Sequence, residues 1–178
     1  MKHMETLIRP PRTMLELYQC LPEGTPVQLI NNQLIMSPAP KDRHQKVIGI
    51  LFRRITDFIE KNKLGETRVA PSDVFLNEEN IYQPDIYFVG TQNLTGFQED
   101  GFHGTPDLII EILSPGSEKL DRIDKFNNYE SCGVKEYWIV DPLDKKATGY
   151  KNTGGKFEVL PEKTGQINST LLATEFSF

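Results

Sequence analysis

The chain has 178 residues, 38% of them hydrophobic and 25% charged, ordinary proportions for one globular domain with a real core. It contains no run of about 18 apolar residues to cross a membrane, and the charged, proline-containing start MKHMETLIRPPRTM lacks the apolar stretch of a signal peptide. A net charge of −5 excludes a protein that coats nucleic acid by bulk positive charge. That charge is uneven: residues 1–63 carry +4 and residues 64–178 carry −9, so the N-terminal third can still present a phosphate-facing patch. The two cysteines, Cys20 and Cys132, form neither a metal-ligand spacing nor a disulfide framework, and a cytoplasmic location is expected.

Thr13 is placed to N-cap a short helix ending at Cys20, closed by Leu21-Pro22-Glu23-Gly24. Val27 to Ile30 and Gln33 to Met36 flank Asn31-Asn32, a pair that tolerates positive φ, which predicts an N-terminal β-hairpin. Ser37-Pro38-Ala39-Pro40 stops it. From Asp42 to Asn62, Val47, Ile48, Leu51, Phe52, Ile55, Phe58 and Ile59 recur at steps of three and four, defining one face of a long helix with Gly65 as its C-cap.

Strands are predicted over 66–70, 73–76 and 83–89, with Asn77 to Asn80 as a polar turn. Residues 90–106 read as a mobile loop. Leu108 to Leu113 is a strand opened by Pro106-Asp107, and Ser114-Pro115-Gly116-Ser117 turns the chain into a helix over 118–131 with Ser117 as N-cap. Gly133 ends that helix, Glu136 to Val140 is a further strand, and the tail reads as a hairpin around Asn152 to Gly155 followed by weak strands. This order implies an α/β fold, a mixed central sheet flanked by helices, in a single domain over 1–178.

Two acids stand inside apolar strands: Asp85 in PDIYF and Glu111 in LIIEIL. Desolvating a carboxylate there is expensive unless it is paired or holds a metal. Asp107 and Glu111 share a strand but sit four residues apart, about 13 Å, too far for easy co-ligation at oxygen distances of about 2.0–2.6 Å. Asp85 can lie across from Glu111 on a neighbouring strand, so Asp85 with Glu111 is the expected pair for Mg²⁺ or Mn²⁺, and Asp107 is either outer support or a strand-start acid.

A lysine beside such an ion stabilises charge on phosphorus or orients the attacking water. The position two past Glu111 is Leu113. Asp121, Lys125 and Tyr129 recur every four residues on the next helix and can return over the strand ends, although Asp121 and Lys125 also fit a plain surface ion pair. His44 begins the long helix and can touch phosphate or simply face solvent. No glycine-rich phosphate loop, zinc-ligand spacing or Gly-x-Ser-x-Gly elbow is present.

The strings Gln83-Pro84-Asp85, Pro106-Asp107-Leu108-Ile109-Ile110-Glu111-Ile112-Leu113-Ser114-Pro115, then Asp121, Lys125, Tyr129 and Gly133-Val134-Lys135-Glu136-Tyr137-Trp138-Ile139-Val140-Asp141-Pro142 resemble the Uma family of "putative restriction endonucleases", a bacterial branch of the PD-(D/E)XK nuclease superfamily. The resemblance runs from Val27 to Pro142. It implies a restriction-endonuclease-like core, with the metal-binding acids on Asp85 and Glu111. The superfamily's usual lysine falls on Leu113, and the family's helical lysine matches Lys125. Where family members carry acids in the hairpin, this chain has Gln28 and Gln33.

The reading that follows is a Mg²⁺- or Mn²⁺-dependent endonuclease acting on DNA. In it Asp85, Glu111 and Lys125 are catalytic, and Asp107, Asp121, Tyr129 and His44 stand in support. A homodimer fits the need for two centres to cut two strands. The alternative is a catalytically inactive nuclease-fold module that binds nucleic acid or a protein partner.

Overall fold

A computed structural model describes residues 9–178 except Glu23, Pro38 and Pro115. The expectations for the first eight residues, and for those three turn positions, lie outside the described residues.

Helix α1 (Met14–Gln19) opens with the Thr13 hydroxyl accepting from Glu16 N, as its N-cap position requires. Strands β1 (Val27–Ile30) and β2 (Gln33–Met36) form the predicted hairpin, with Asn31 and Asn32 at φ 49° and 59°. Helix α2 spans Asp42–Asn62 and buries Val47, Ile48, Leu51, Ile55 and Ile59. Its left-handed cap is Lys63 at φ 54°, not Gly65. Gly65 begins β3 (Gly65–Val69), where a Cβ would meet the Val89 carbonyl; close backbone approach explains the glycine.

The following meander is denser than expected. Strands β4 (Val74–Asn77) and β5 (Asn80–Tyr82) form a hairpin, so Asn80 belongs to a strand rather than to the turn. After β6 (Ile86–Gly90), the 90–106 segment holds a 3₁₀ turn over Thr91–Gly96 and strands β7 (Phe97–Gln98) and β8 (Gly101–His103), instead of one open loop. Strand β9 covers Leu108–Ile112. The helix expected over 118–131 is a π-helical turn, Leu120–Lys125, running into α3 (Phe126–Ser131). Strands β10 (Glu136–Val140), β11 (Lys146–Thr153), β12 (Lys156–Val159), β13 (Lys163–Thr164), β14 (Gln166–Ser169) and β15 (Thr174–Ser177) complete the chain.

The central sheet runs β12-β11-β10-β9-β6-β3, with β9 and β10 parallel and β13 paired to β11. A second sheet runs β2-β1-β5-β4-β8-β7. Alternation along β6, β9 and β10 splits the core into two layers. Ile86, Phe88, Leu108, Ile110, Trp138 and Val140 pack under α2 and the C-terminal strands. Tyr87, Val89, Ile109, Tyr137 and Ile139 pack against the second sheet and Tyr129 of α3. Covered on both faces, β6, β9 and β10 are buried at every position, which explains their continuous apolar runs. Any polar residue there needs a partner.

Candidate active site

Glu111 lies on β9 on the face toward Tyr129 and the second sheet. The antiparallel register of β6 with β9 pairs Ile86 with Ile110, so one step further sets Asp85 opposite Glu111 on the same face. Asp85 N points to Glu111 Oε2 at 3.4 Å, and Ile112 N donates to Asp85 Oδ2 at 2.7 Å. Both carboxylates line a cleft of about 410 Å³ walled by the N-terminal hairpin, the start of α2 and the π-helical turn.

The π-turn and α3 deliver Asp121, Lys125 and Tyr129 to Glu111. Lys125 Nζ lies 2.9 Å from Glu111 Oε1 and 3.0 Å from Asp121 Oδ1, and the Tyr129 hydroxyl donates to Glu111 Oε1 at 2.9 Å. These are not surface contacts: the Lys125 side chain is 4% exposed and Asp121 2%. The surface-pair reading of Asp121 and Lys125 is thereby corrected. The π-turn is a rare, single-turn departure from the α-helix, and the Tyr137 hydroxyl donates to its Asp121 carbonyl at 3.0 Å.

His44 faces inward from the first turn of α2, with Nε2 3.2 Å from Asp85 Oδ2. Its contact is the site acid, not solvent. Leu113 shares Glu111's face but is buried in the second core layer. Asp107 is 2% exposed and sits at the opposite end of β9. It accepts from Gly90 N at 2.7 Å and from Asn93 Nδ2 at 3.3 Å and pairs with Lys135. Its role as outer support is corrected: it is a strand-start acid that fastens β6 to β9.

Sequence reasoning named Gln28 and Gln83 but missed that they brace the rim. Gln28 Oε1 accepts from Gln83 N at 3.0 Å while its Nε2 donates to Ser37 Oγ at 2.9 Å. Gln83 Nε2 and the Tyr18 hydroxyl each donate to Asp73, both at 2.8 Å. Gln28 therefore braces the hairpin against residues 83–85, a bend that carries Asp85 just ahead of β6 rather than the strand start expected there, whereas Gln33 is exposed outside the cleft. Only the inward phase of Gln28 on β1 signals this.

The electrostatics follow from three carboxylates sharing little water. Burial pushes the Glu111 carboxyl up; Lys125 opposes this, and Asp121 and Asp85 add to it. Burial alone would push Lys125 down, but Asp121 and Glu111 override it and hold the ammonium charged. Burial, reinforced by Glu111, raises the Tyr129 phenol well above its ordinary value, so it remains a donor. Burial opposes charge on His44 as well; the hydrogen bond and charge of Asp85 outweigh it, and the net direction is upward. Against that, a proton on His44 Nδ1 would have no acceptor, because this buried atom has no partner among the described residues.

Among the described residues, no three His, Cys, Asp or Glu side chains converge as a preformed metal cage. A magnesium-type site does not require one: one or two carboxylates suffice, with waters and substrate oxygens completing the shell. The donor set fits that pattern. Asp85 Oδ1 receives no hydrogen bond from the described residues, Glu111 Oε2 has only the long contact to Asp85 N, and the buried Asp121 Oδ1 makes no hydrogen bond of good geometry.

The sequence profile of the family described as "Putative restriction endonuclease", Uma2, matches residues 14–177. The chain belongs to the Uma2 family. The Uma2 match covers every described helix and strand, including all those that build the cleft. The structure is similar to one titled as a putative nuclease belonging to DUF820 from Anabaena variabilis, with a TM-score of 0.74 at 20% sequence identity over 92% of each chain. The two proteins share the nuclease-like, restriction-endonuclease type of fold. No curated protein matches the sequence. No helix among the described residues is long and apolar enough to cross a membrane.

Proposed function

We propose that this protein is a divalent-metal-dependent endonuclease that hydrolyses phosphodiester bonds in DNA. The observation that carries the reading is the approach of Asp85, in the bend just ahead of β6, to Glu111 of β9, both open to one cleft, with the Lys125 ammonium bonded to Glu111. Membership of the Uma2 family supports the same chemistry.

Asp85 and Glu111 would hold Mg²⁺ or Mn²⁺. Such an ion, when bound, lowers the pKa of water and neutralises charge on a phosphate. The chain's own residues prepare this. Ile112 N and His44 fix Asp85 through Oδ2, leaving Oδ1 for a ligand. Tyr129 and Lys125 fix Glu111 through Oε1, leaving Oε2. Lys125 lines the cleft as a fixed positive charge for the phosphoryl group, taking the place of the lysine that Leu113 does not supply.

The test is cleavage of supercoiled plasmid in Mn²⁺ by the wild type, Asp85→Asn and Glu111→Gln. Both variants should lose about 10²–10³-fold, the scale of removing one preorganised charge-stabilising group. Cleavage that survives either change sinks the assignment.

A further inference from the structure

Residues 41–54 carry Lys41, Arg43, Lys46, Arg53 and Arg54 against the single acid Asp42, a formal +4 within a chain of −5. All five cations are exposed, and none forms an ion pair among the described residues, unlike Arg9, Arg122 and Lys156 elsewhere on the surface. The helix explains their alignment. His44, Val47, Ile48, Leu51 and Ile55 take the inner face of α2, so Arg43, Lys46, Arg53 and Arg54, at offsets of three, ten and eleven, share the outer one. They cover about 16 Å of axis.

From this we infer that the outer face of α2 from Arg43 to Arg54 is a docking surface for the phosphate backbone of duplex DNA. The inference rests on the hydrolytic reading above and names where its substrate is gripped. Charge complementarity selects the partner. Phosphates along one strand follow at about 3.4 Å of rise, so the stripe spans roughly five of them, and three of its four outer-face cations are guanidinium groups suited to bidentate phosphate contact. Position selects the role. His44 and Gln45, between Arg43 and Lys46, line the cleft itself, so the stripe begins at the lip of the carboxylate site. In the cleft the carboxyl groups of Asp85, Glu111 and Asp121 outnumber the Lys125 ammonium, and a separate cationic surface supplies the attraction for DNA that the cleft lacks before a metal ion binds.

The experiment is a salt titration of binding between the full chain and a fluorescently labelled duplex in EDTA, run for the wild type, Arg43→Glu/Lys46→Glu, Arg53→Glu/Arg54→Glu and Asp85→Asn. Each charge-reversed pair should lower the slope of log affinity against log salt by about two and weaken binding by at least about tenfold near 0.1 M salt. Arg53→Lys/Arg54→Lys should keep the slope, and Asp85→Asn, which removes an acid from the cleft, should bind the duplex at least as tightly as the wild type. Thermal melts confirm that every variant is folded. The inference is overturned if the reversed pairs leave the slope unchanged, if the wild type fails to bind duplex at low salt, or if anionic vesicles or duplex RNA are bound in preference. Stripe-dependent DNA binding without plasmid cleavage in Mn²⁺ supports this surface while overturning the hydrolytic reading.

Discussion

The Lys125 ammonium lies 2.9 Å from Glu111 Oε1, in a contact nearly closed to solvent, and 3.0 Å from Asp121 Oδ1. One cation thus offsets two buried acids, and removing one member of such a set leaves uncompensated charge in a poor solvent for it. Lys125→Ala should destabilise the metal-free protein by about 3–5 kcal/mol. Mn²⁺ should restore part of that, because a ligand that binds only the folded state stabilises it. Plasmid turnover should fall while Mn²⁺ affinity persists. Urea unfolding with and without Mn²⁺ reads the first effect, and titration with the ion reads the second. Lost metal affinity would refute the role assigned to Lys125.

Tyr129 presents a narrower case. Its hydroxyl donates to the same Glu111 oxygen, and burial keeps it protonated. Tyr129→Phe deletes that donor with little change of shape, and at a pH where Glu111 is ionised a hydrogen bond to it contributes about 1.5–3 kcal/mol. The unfolding midpoint should drop accordingly. Plasmid turnover should fall less than in Glu111→Gln, because the carboxylate survives but is held less firmly. Equal stability of the variant and the wild type would show that the hydroxyl contributes nothing.

What the sequence made legible follows from period and desolvation. The 3.6-residue pattern of α2 and the Asn31-Asn32 turn set their elements almost residue for residue, because one-sided burial leaves a clear signature. Asp85 and Glu111 were legible for a related reason: an acid inside an apolar run needs a partner or an ion. Other features depended on tertiary contacts that no local pattern carries. Nothing in LDRIDK distinguishes a π-turn from an α-turn; Tyr137, on β10, donates its hydroxyl to the Asp121 carbonyl within that turn. Nothing local tells that Asp107 would be claimed by Gly90 N and Lys135 at the far end of β9. Segment 90–106 looked structureless because β7 and β8 are too short to show alternation, and β8 gains its place by pairing with β4.

The direction of the Glu111 shift fixes a pH dependence. Its folded pKa is raised above the ordinary carboxylate range by burial, with Asp121 and Asp85 adding to the effect. Between those two values the folded state binds a proton that the unfolded state has released. This group therefore makes the metal-free protein less stable as pH rises through that window. A metal ligand must be deprotonated, so cation binding should expel the proton and tighten with pH until the raised value is passed. Calorimetric titration of Mn²⁺ in buffers of different ionisation enthalpy measures the released proton. Glu111→Gln should bind weakly and show no such release; an affinity that is flat with pH in the wild type counts against the carboxylate as ligand.

Glu136 tests whether a buried acid on these strands must mean chemistry. Wholly buried at the start of β10, it accepts from Trp138 Nε1 at 2.7 Å through one oxygen. The other oxygen takes Thr170 N, Thr170 Oγ1 and Leu171 N at 2.9, 2.7 and 2.8 Å. Four donors satisfy the carboxylate without an ion, and they fasten the turn between β14 and β15 to the central sheet. Glu136→Ala strands all four, each a buried donor whose loss of a partner costs about 1–3 kcal/mol before the turn relaxes. The variant should lose several kcal/mol in urea unfolding, while cleavage per folded molecule in Mn²⁺ stays near the wild-type level, since Glu136 lines no part of the cleft. A fall in specific activity with stability intact would reverse the assignment and move Glu136 into the functional machinery.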